Sequence, residues 1–136
     1  MSAPVLHHVS IVATDLDRSV AFYQELFGLD RLHRPQLAVP GAWLARQDLQ
    51  LHIILNPAGT FRPRAKIDIG DMHFALRTDD FDAVLKKLVG LGFTENADPD
   101  DRKQMLVIRN SPAGFPQLYI LDPDLNIVEI NGAKGG

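Results

Sequence analysis

The sequence predicts an α+β fold built from two βαβββ modules, and three observations carry that expectation. The first is a pattern written twice: HVSIVATDLDRSVAFYQELFGL begins at His8, and HFALRTDDFDAVLKKLVGLGF begins at His73, 65 positions later. At that offset Ile11 matches Leu76, Asp15 matches Asp80, Leu16 matches Phe81 and Asp17 matches Asp82, and Gly28-Leu29 answers Gly92-Phe93 after a slip of one residue. The second is that each copy reads as a strand, an Asp-rich turn, a helix and a glycine stop, so the two are similar supersecondary units. The third is that short strand candidates follow each helix before the pattern restarts or the chain ends.

Taken in order, Val5–Ala13 is β-branched and apolar enough for a strand that places Leu6, His8, Ser10 and Val12 on one face and His7, Val9, Ile11 and Ala13 on the other. Asp15 or Asp17 is suited to cap the helix that follows, because a short carboxylate accepts from the free amides at a helix start. Leu16, Val20, Tyr23 and Phe27 recur at helical spacing and Gly28 ends the run. Leu29–His33, Ala42–Arg46 and Leu49–Leu55 are the next strand candidates and complete a first module over residues 5–56. Residues 57–70 are the connection; they hold Pro57, Gly59 and Pro63 and the basic trio Arg62, Arg64 and Lys66. The second module covers 71–132. Its strand Met72–Arg77 leads to a helix burying Phe81, Val84, Leu85 and Leu88, then to short strands at Phe93–Glu95 and Gln104–Arg109 around the polar tract NADPDDRK. Gln117–Leu121, a tight turn at Asp122-Pro123-Asp124 and a last strand Asn126–Asn131 close it. All 136 residues thus read as one domain of two related modules.

Composition excludes several classes. A 46% hydrophobic content is ordinary for a chain with a core, and a net charge of −3 spread along the sequence gives no reason to expect nucleic acid or anionic membrane as a partner. The start MSAPVLHHVSIVA lacks a basic leader region, and no stretch approaches the roughly 20 apolar residues of a membrane span, so the expected compartment is the cytoplasm. With no cysteine, disulfides and thiolate ligands are excluded.

Four polar residues interrupt apolar strand runs: His8 in LHHVSIV, His52 in LQLHIIL, His73 in MHFALR and Glu129 in NIVEIN. A single histidine in such a run is commonly a hydrogen-bonded core residue. Glu129 carries more weight, since burying a carboxylate costs several kcal/mol unless it is paired or coordinated. As a set they point to a metal. His8 and His73 hold equivalent first-strand positions, and related halves would bring them together across a pseudo-twofold axis. Two imidazoles and a carboxylate make a facial triad suited to Fe(II), and the same donors also bind Mn²⁺, Zn²⁺ or Ni²⁺.

These segments resemble the vicinal oxygen chelate superfamily, which includes glyoxalase I, extradiol dioxygenases, fosfomycin resistance enzymes and methylmalonyl-CoA epimerase. HVSIVATDLDRSVAFYQELFGL, DMHFALRTDDFDAVLKKL, LHIIL and QLYILDPDLNIVEI carry the likeness over nearly the whole chain, and Gly41-Ala42-Trp43-Leu44 followed by Leu51-His52 is similar to the small glyoxalase-I-like proteins. The resemblance implies curved mixed sheets forming an open metal-binding cleft, one divalent metal ion (Zn, Fe, Ni or Mn), a small-molecule substrate and a homodimer. By position it makes His8, His73 and Glu129 metal ligands. It puts His52 where glyoxalase I has a glutamate serving as ligand and base. That departure leaves one side of the metal without its carboxylate. A neutral imidazole can bind metal or move a proton near pH 7, so His52 and Glu129 are the candidate catalytic pair. The implied activity is lactoylglutathione-lyase-like lyase or isomerase chemistry on a substrate chelated through vicinal oxygens. Extradiol-type dioxygenation and metal-free drug sequestration, as in the bleomycin resistance proteins, are the alternatives. Ser10, Trp43, Arg77 and Tyr119 are candidate substrate-binding residues, and Arg62, Arg64 and Lys66 either grip an anion or form a solvated basic loop. His7 is expected on the helix-packed or edge face.

Overall fold

The computed structural model describes residues 3–133 and contains two helices and eight strands in two four-stranded mixed sheets, neither closed. The chain divides into two compact units, Met1–Thr60 and Phe61–Gly136. Among the described residues no helix is long and apolar enough to cross a membrane.

In the first unit the elements run β1 (His8–Ala13), α1 (Leu16–Phe27), β2 (Asp30–Leu32), β3 (Gly41–Arg46) and β4 (Leu49–Leu55). The sheet order is β1-β4-β3-β2, with β1 parallel to β4 and the other pairs antiparallel. A parallel neighbour cannot be reached by a tight turn, so β1 and β4 lie beside each other although most of the unit separates them in sequence. Ile11, Ala13, Leu44, Leu51 and Ile53 alternate onto one buried face with Val20 and Tyr23 of α1. Asp15 is the N-cap, its Oδ1 accepting from Arg18 N at 3.1 Å, and Asp17 adds negative charge to the first turn. Gly28 ends α1 at φ +65, where a β-carbon would be strained, and its N–H closes onto Gln24 O at 2.9 Å.

The second unit repeats this order with β5 (His73–Thr78), α2 (Phe81–Gly90), β6 (Leu106–Ile108), β7 (Gln117–Leu121) and β8 (Ile127–Gly132), the sheet running β5-β8-β7-β6. Again the first and last strands are parallel. Asp80 caps α2 by accepting from Ala83 N at 3.0 Å. The one-residue slip at the helix ends has a local cause: α2 runs on to Gly90, Leu91 keeps φ −91, and the left-handed turn falls on Gly92 at φ +97. Leu118, Ile120, Val128 and Ile130 are buried on one face of the sheet, as are Phe81 and Leu88 of α2. Tyr119, Leu121 and Ile127 share the other face with Glu129 and pack with Ala65, Leu125 and Ile67. The turn before β8 is pinned by Asp122, which is buried. Its Oδ1 accepts from Asp124 N and Asn126 N, both at 2.9 Å, and its Oδ2 accepts from Asn126 Nδ2. This holds Leu125 at φ +68, a conformation a leucine rarely adopts.

Three expectations are corrected. The first strand begins at His8, not Val5, so His7 precedes it; of the two faces expected for His7 it is not packed on the helix but exposed beside the edge strand β1, against the ring of His8. Phe93–Glu95 is not a strand: only Thr94 bridges, parallel to Gln104, while Phe93 turns into the core. The basic connection is not uniformly solvated. Arg62 is tied at Nε to Asp71 Oδ2 and at Nη2 to Met72 O, both at 2.9 Å, whereas Arg64 and Lys66 are exposed.

Candidate functional site

Register makes the relation between the modules residue-specific. His8 and His73 each open the first strand of their unit. Ser10 pairs with His52 and Trp43 pairs with His52, while Ala75 pairs with Glu129 and Tyr119 pairs with Glu129. His52 and Glu129 are therefore equivalent positions, and so are Trp43 and Tyr119. Each unit gathers a first-strand histidine, a last-strand polar residue and an aromatic neighbour on one sheet face.

In the second unit His73 Nδ1 lies 2.9 Å from Asp71 O. A carbonyl only accepts, so Nδ1 carries the proton, and in the neutral imidazole Nε2 is left with its lone pair. That Nε2 faces Glu129 Oε1 at 3.2 Å. Two lone-pair atoms at this distance call for positive charge between them, either the proton of an imidazolium or a metal ion. A separation of 3.2 Å is that of an N–H···O hydrogen bond from an imidazolium and is also within the reach of one bound ion.

The other oxygen of Glu129 is spoken for. Asn131 Nδ2 donates to Oε2 at 2.8 Å and Gln117 Nε2 donates to it at 3.2 Å. Both amides are oriented from behind. Arg77 Nε donates to Asn131 Oδ1 at 2.8 Å, and Ser111 Oγ donates to Gln117 Oε1 at 2.6 Å, so each amide must turn its NH₂ toward the carboxylate. Burial pulls the pKa of Glu129 upward, but the donors Asn131, Gln117 and Tyr119, with His73, outweigh it and hold the carboxyl below its ordinary value. Conversely, burial first, then the Glu129 charge and hydrogen bond, push the Tyr119 phenol up to about 12. Glu129 is thus a buried, ionised carboxylate with Oε1 aimed at His73.

The first unit's pair is arranged differently. His52 lies flat between two rings, stacked on His8 (centroids 3.9 Å, interplanar 12°) and on Trp43 (4.6 Å, 12°). Its Nε2 is 2.9 Å from Gln50 Oε1, which leaves Nδ1 for a ligand or a proton. His7 Nδ1 and His8 Nδ1 are 2.9 Å apart, so one donates to the other. If His8 donates, its Nε2 keeps a lone pair, as in His73. Burial, then the like charges of His8, His7 and Arg34, hold the His52 pKa below the ordinary imidazole value, so His52 is neutral at pH 7. Among the described residues no three His, Asp or Glu side chains are grouped to hold a metal ion.

Of the remaining candidates, Ser10 is exposed beside His52, and Trp43 is part of its ring stack. Tyr119 is buried with its ring edge-on to His73 at 5.5 Å. Arg77 reaches Asn131 and lies 4.5 Å over the Phe115 ring. Sequence reasoning missed the supporting residues Gln50, Asp71, Ser111, Gln117 and Asn131. Gln50 and Asn131 were findable, because each sits two positions from a candidate donor on the same strand face. Ser111 and Asp71 lie in loops and gave no signal.

Residues 5–130 match the model of the Glyoxalase/Bleomycin resistance protein/Dioxygenase superfamily. The chain is 30% identical over 127 residues to glyoxylase I 4 of Arabidopsis thaliana, covering 92% of this chain and 68% of the relative. It is 26% identical to the glutathione transferase FosA of Serratia marcescens, over 93% of this chain and 79% of that protein. In structure it is similar to TnmS3, an antibiotic-binding protein from Streptomyces sp. CB03234, with TM-score 0.68, 24% identity and coverage of 98% and 99%.

Proposed function

The chain belongs to the Glyoxalase/Bleomycin resistance protein/Dioxygenase superfamily, and on that premise we propose that it is a metal-dependent enzyme performing glyoxalase-like lyase or isomerase chemistry on a small substrate chelated through vicinal oxygens. The observation that carries this reading is the pairing of His73 Nε2 with Glu129 Oε1, two electron-pair donors held 3.2 Å apart with their outer atoms committed elsewhere. A buried carboxylate with four polar neighbours and one oxygen directed at an imidazole lone pair is arranged to receive a cation. His8, His73 and Glu129 would hold one divalent ion, with His52 as fourth ligand or proton carrier, the donors coming from one chain or from the two copies of a homodimer.

When bound, the ion would polarise a carbonyl or enediolate oxygen and stabilise developing negative charge. The chain supplies the rest. Asn131 and Gln117 keep Glu129 ionised and fix which oxygen it presents. His52, neutral at working pH, can take a proton at Nδ1 and return it to a neighbouring carbon. Trp43 and Ser10 flank that imidazole and would contact the substrate.

A second reading, a metal-free binder of planar molecules, is favoured by one feature: the Trp43–His52–His8 stack, which offers flat ring surfaces and no carboxylate. Metal analysis of protein purified without chelator separates the two. Stoichiometric divalent metal, with turnover in a screen of thiohemiacetals and catechols, is expected. A catechol-cleaving result would move the chemistry to the dioxygenase branch, and metal-free, inactive protein would overturn the enzyme reading.

A further inference from the structure

The carbonyl that takes the Nδ1 proton of His73 is held in place by contacts that begin at Arg62. The Arg62 side chain is 10% exposed, in a segment whose other cations, Arg64 and Lys66, face solvent. Its Nε donates to Asp71 Oδ2 and its Nη2 to Met72 O, both at 2.9 Å, and the Phe61 ring lies 4.9 Å from the guanidinium carbon. The Asp71 carboxylate passes this hold on to the backbone, because its Oδ1 accepts from Met72 N at 2.7 Å. Met72 N and Asp71 O belong to one peptide group, which is planar and trans, so its N–H and C=O point opposite ways. Fixing the N–H on the carboxylate therefore aims the C=O away from it, and that C=O is 2.9 Å from His73 Nδ1. An exposed ion pair contributes little to stability. A nearly buried arginine that donates to both residues preceding His73 is placed to do more.

We infer that Arg62 is a positioning residue for His73: by bracing the Asp71–Met72 peptide it keeps the imidazole proton on Nδ1 and leaves the Nε2 lone pair directed at Glu129. The competing arrangement is close at hand. A neutral imidazole carries one proton, and on Nε2 that proton would be donated to Glu129 Oε1 at 3.2 Å. The pair would then satisfy itself, and His73 would present no lone pair to an ion. Releasing the peptide would leave Nδ1 to water, which can donate to it as readily as accept from it, so neither tautomer would be favoured from that side. The consequence for a metal rests on the proposed role of His73 as a ligand, whereas the placement of the proton does not. Ligating histidines are ordinarily oriented by the group on their second nitrogen. Here that group is a backbone carbonyl, and its direction depends on a side chain from the stretch ahead of β5.

The test reads the proton directly, in metal-free protein at mildly alkaline pH, where imidazole is neutral unless its surroundings hold the charge. Correlation of ¹⁵N and ¹H NMR signals of the histidine rings distinguishes a protonated from an unprotonated Nδ1. In the wild-type protein His73 Nδ1 should be protonated, and an unprotonated Nδ1 would overturn the inference with no variant needed. Arg62→Met keeps the stem and removes the donors. It should shift the His73 proton toward Nε2 and leave the rings of the other histidines unchanged. Arg62→Lys, which can reach one of the two acceptors, should restore part of the wild-type signature; Met already supplies the bulk, so recovery by Lys shows that donation matters. A wild-type His73 signature in Arg62→Met would overturn the positioning role and leave Arg62 a loop brace. In parallel, calorimetric titration with Zn²⁺ should show affinity reduced by about tenfold in Arg62→Met, the low end for an outer partner. Failure of the metal reading looks different: a wild type that binds no Zn²⁺ overturns that reading, while a shift of the His73 proton in Arg62→Met still upholds the placement by Arg62.

Discussion

The two units place side chains at the same backbone positions and do opposite things with them. At the paired position on the last strand, the second unit has Glu129, ionised, hydrogen-bonded from behind by Asn131 and Gln117 and facing His73 donor to donor. The first has His52, neutral and face to face with His8 and Trp43. The aromatic neighbours diverge in step: Tyr119 offers the carboxylate a hydrogen bond, whereas Trp43 offers the imidazole a flat surface. Matching registers put the groups at equivalent places, and different residues there give charge on one side and stacking on the other. In the proposed enzyme the ionised half would supply a histidine and the carboxylate to the cation, and the neutral half a second histidine, with His52 as fourth ligand or proton carrier.

The largest expected effect comes from removing the charge that distinguishes the halves. Glu129→Gln keeps shape and hydrogen-bonding capacity, so far-UV circular dichroism should be unchanged. Metal affinity should fall by more than about a hundredfold, since loss of an outer partner alone costs about 10–100-fold. Wild-type metal content in this variant would reduce the His73–Glu129 pair to a structural ion pair and remove the main contrast between the units.

His52→Ala should weaken metal retention by about 10–100-fold if His52 is a ligand, the outcome favoured by its equivalence to Glu129. Retained metal with lost turnover would assign it to proton transfer. His52→Glu makes the units chemically alike, and a gain of methylglyoxal–glutathione isomerisation would place the chain's chemistry beside glyoxalase I. Wild-type metal binding and activity in both variants would leave His52 a core histidine.

Much of this contrast was legible in the sequence because it is carried by periodicity. The offset between His8 and His73 survives as two six-residue strands, and β4 and β7 fall on their expected spans. What sequence could not give was strand pairing, which depends on contacts between distant segments. The candidate strand Gln104–Arg109 shortens to β6, Leu106–Ile108, whose antiparallel partner is β7. The equivalence of Trp43 with Tyr119 is likewise a fact of register. The donation from Ser111 to Gln117 comes from loop conformation, for which no residue pattern stood proxy.

Acid should separate the halves in metal-free protein. His52 has a folded pKa below its ordinary 6.5, so the unfolded chain protonates first as pH falls. Its contribution to stability is present above 6.5 and is lost as pH drops from there through the folded pKa. Glu129 is also depressed, from 4.5, so its contribution is retained down to about that pH and lost below it. Trp43, the only tryptophan, reports on the first unit. Its fluorescence should change at a higher pH than the ring NMR resonances of Tyr119, which report on the second unit, and His52→Gln should abolish the earlier step. Coincident transitions in wild type would show that the two sites do not titrate separately.

Loosening the supports should have smaller consequences. Arg77→Met frees Asn131 to rotate its amide and present Oδ1 to a carboxylate, and metal affinity should fall by about tenfold, at the low end for an outer partner. Arg77→Lys should recover part of it, because a donor to Oδ1 is restored. A variant with unaltered metal affinity would show that Gln117 and Tyr119 suffice to hold Glu129.

The smallest effect tests how far the likeness between units extends away from the candidate site. Asp15 and Asp80 cap their helices in the same way, each accepting from the backbone N–H three residues on, at 3.1 and 3.0 Å. Each should therefore cost about 1 kcal/mol of stability when changed to alanine. Asp17 and Asp82 keep the first turns negative in both variants, so the loss is confined to the cap. The double variant should lose the sum within about 0.5 kcal/mol, as expected for caps that share no partner. Chemical denaturation of metal-free protein measures all three. A marked excess for one cap would mean that its helix is the more dependent on local capping. The two ends offer a reason to look for this at α2, whose chain continues through Leu91 before Gly92 turns left-handed, whereas α1 closes at once on Gly28.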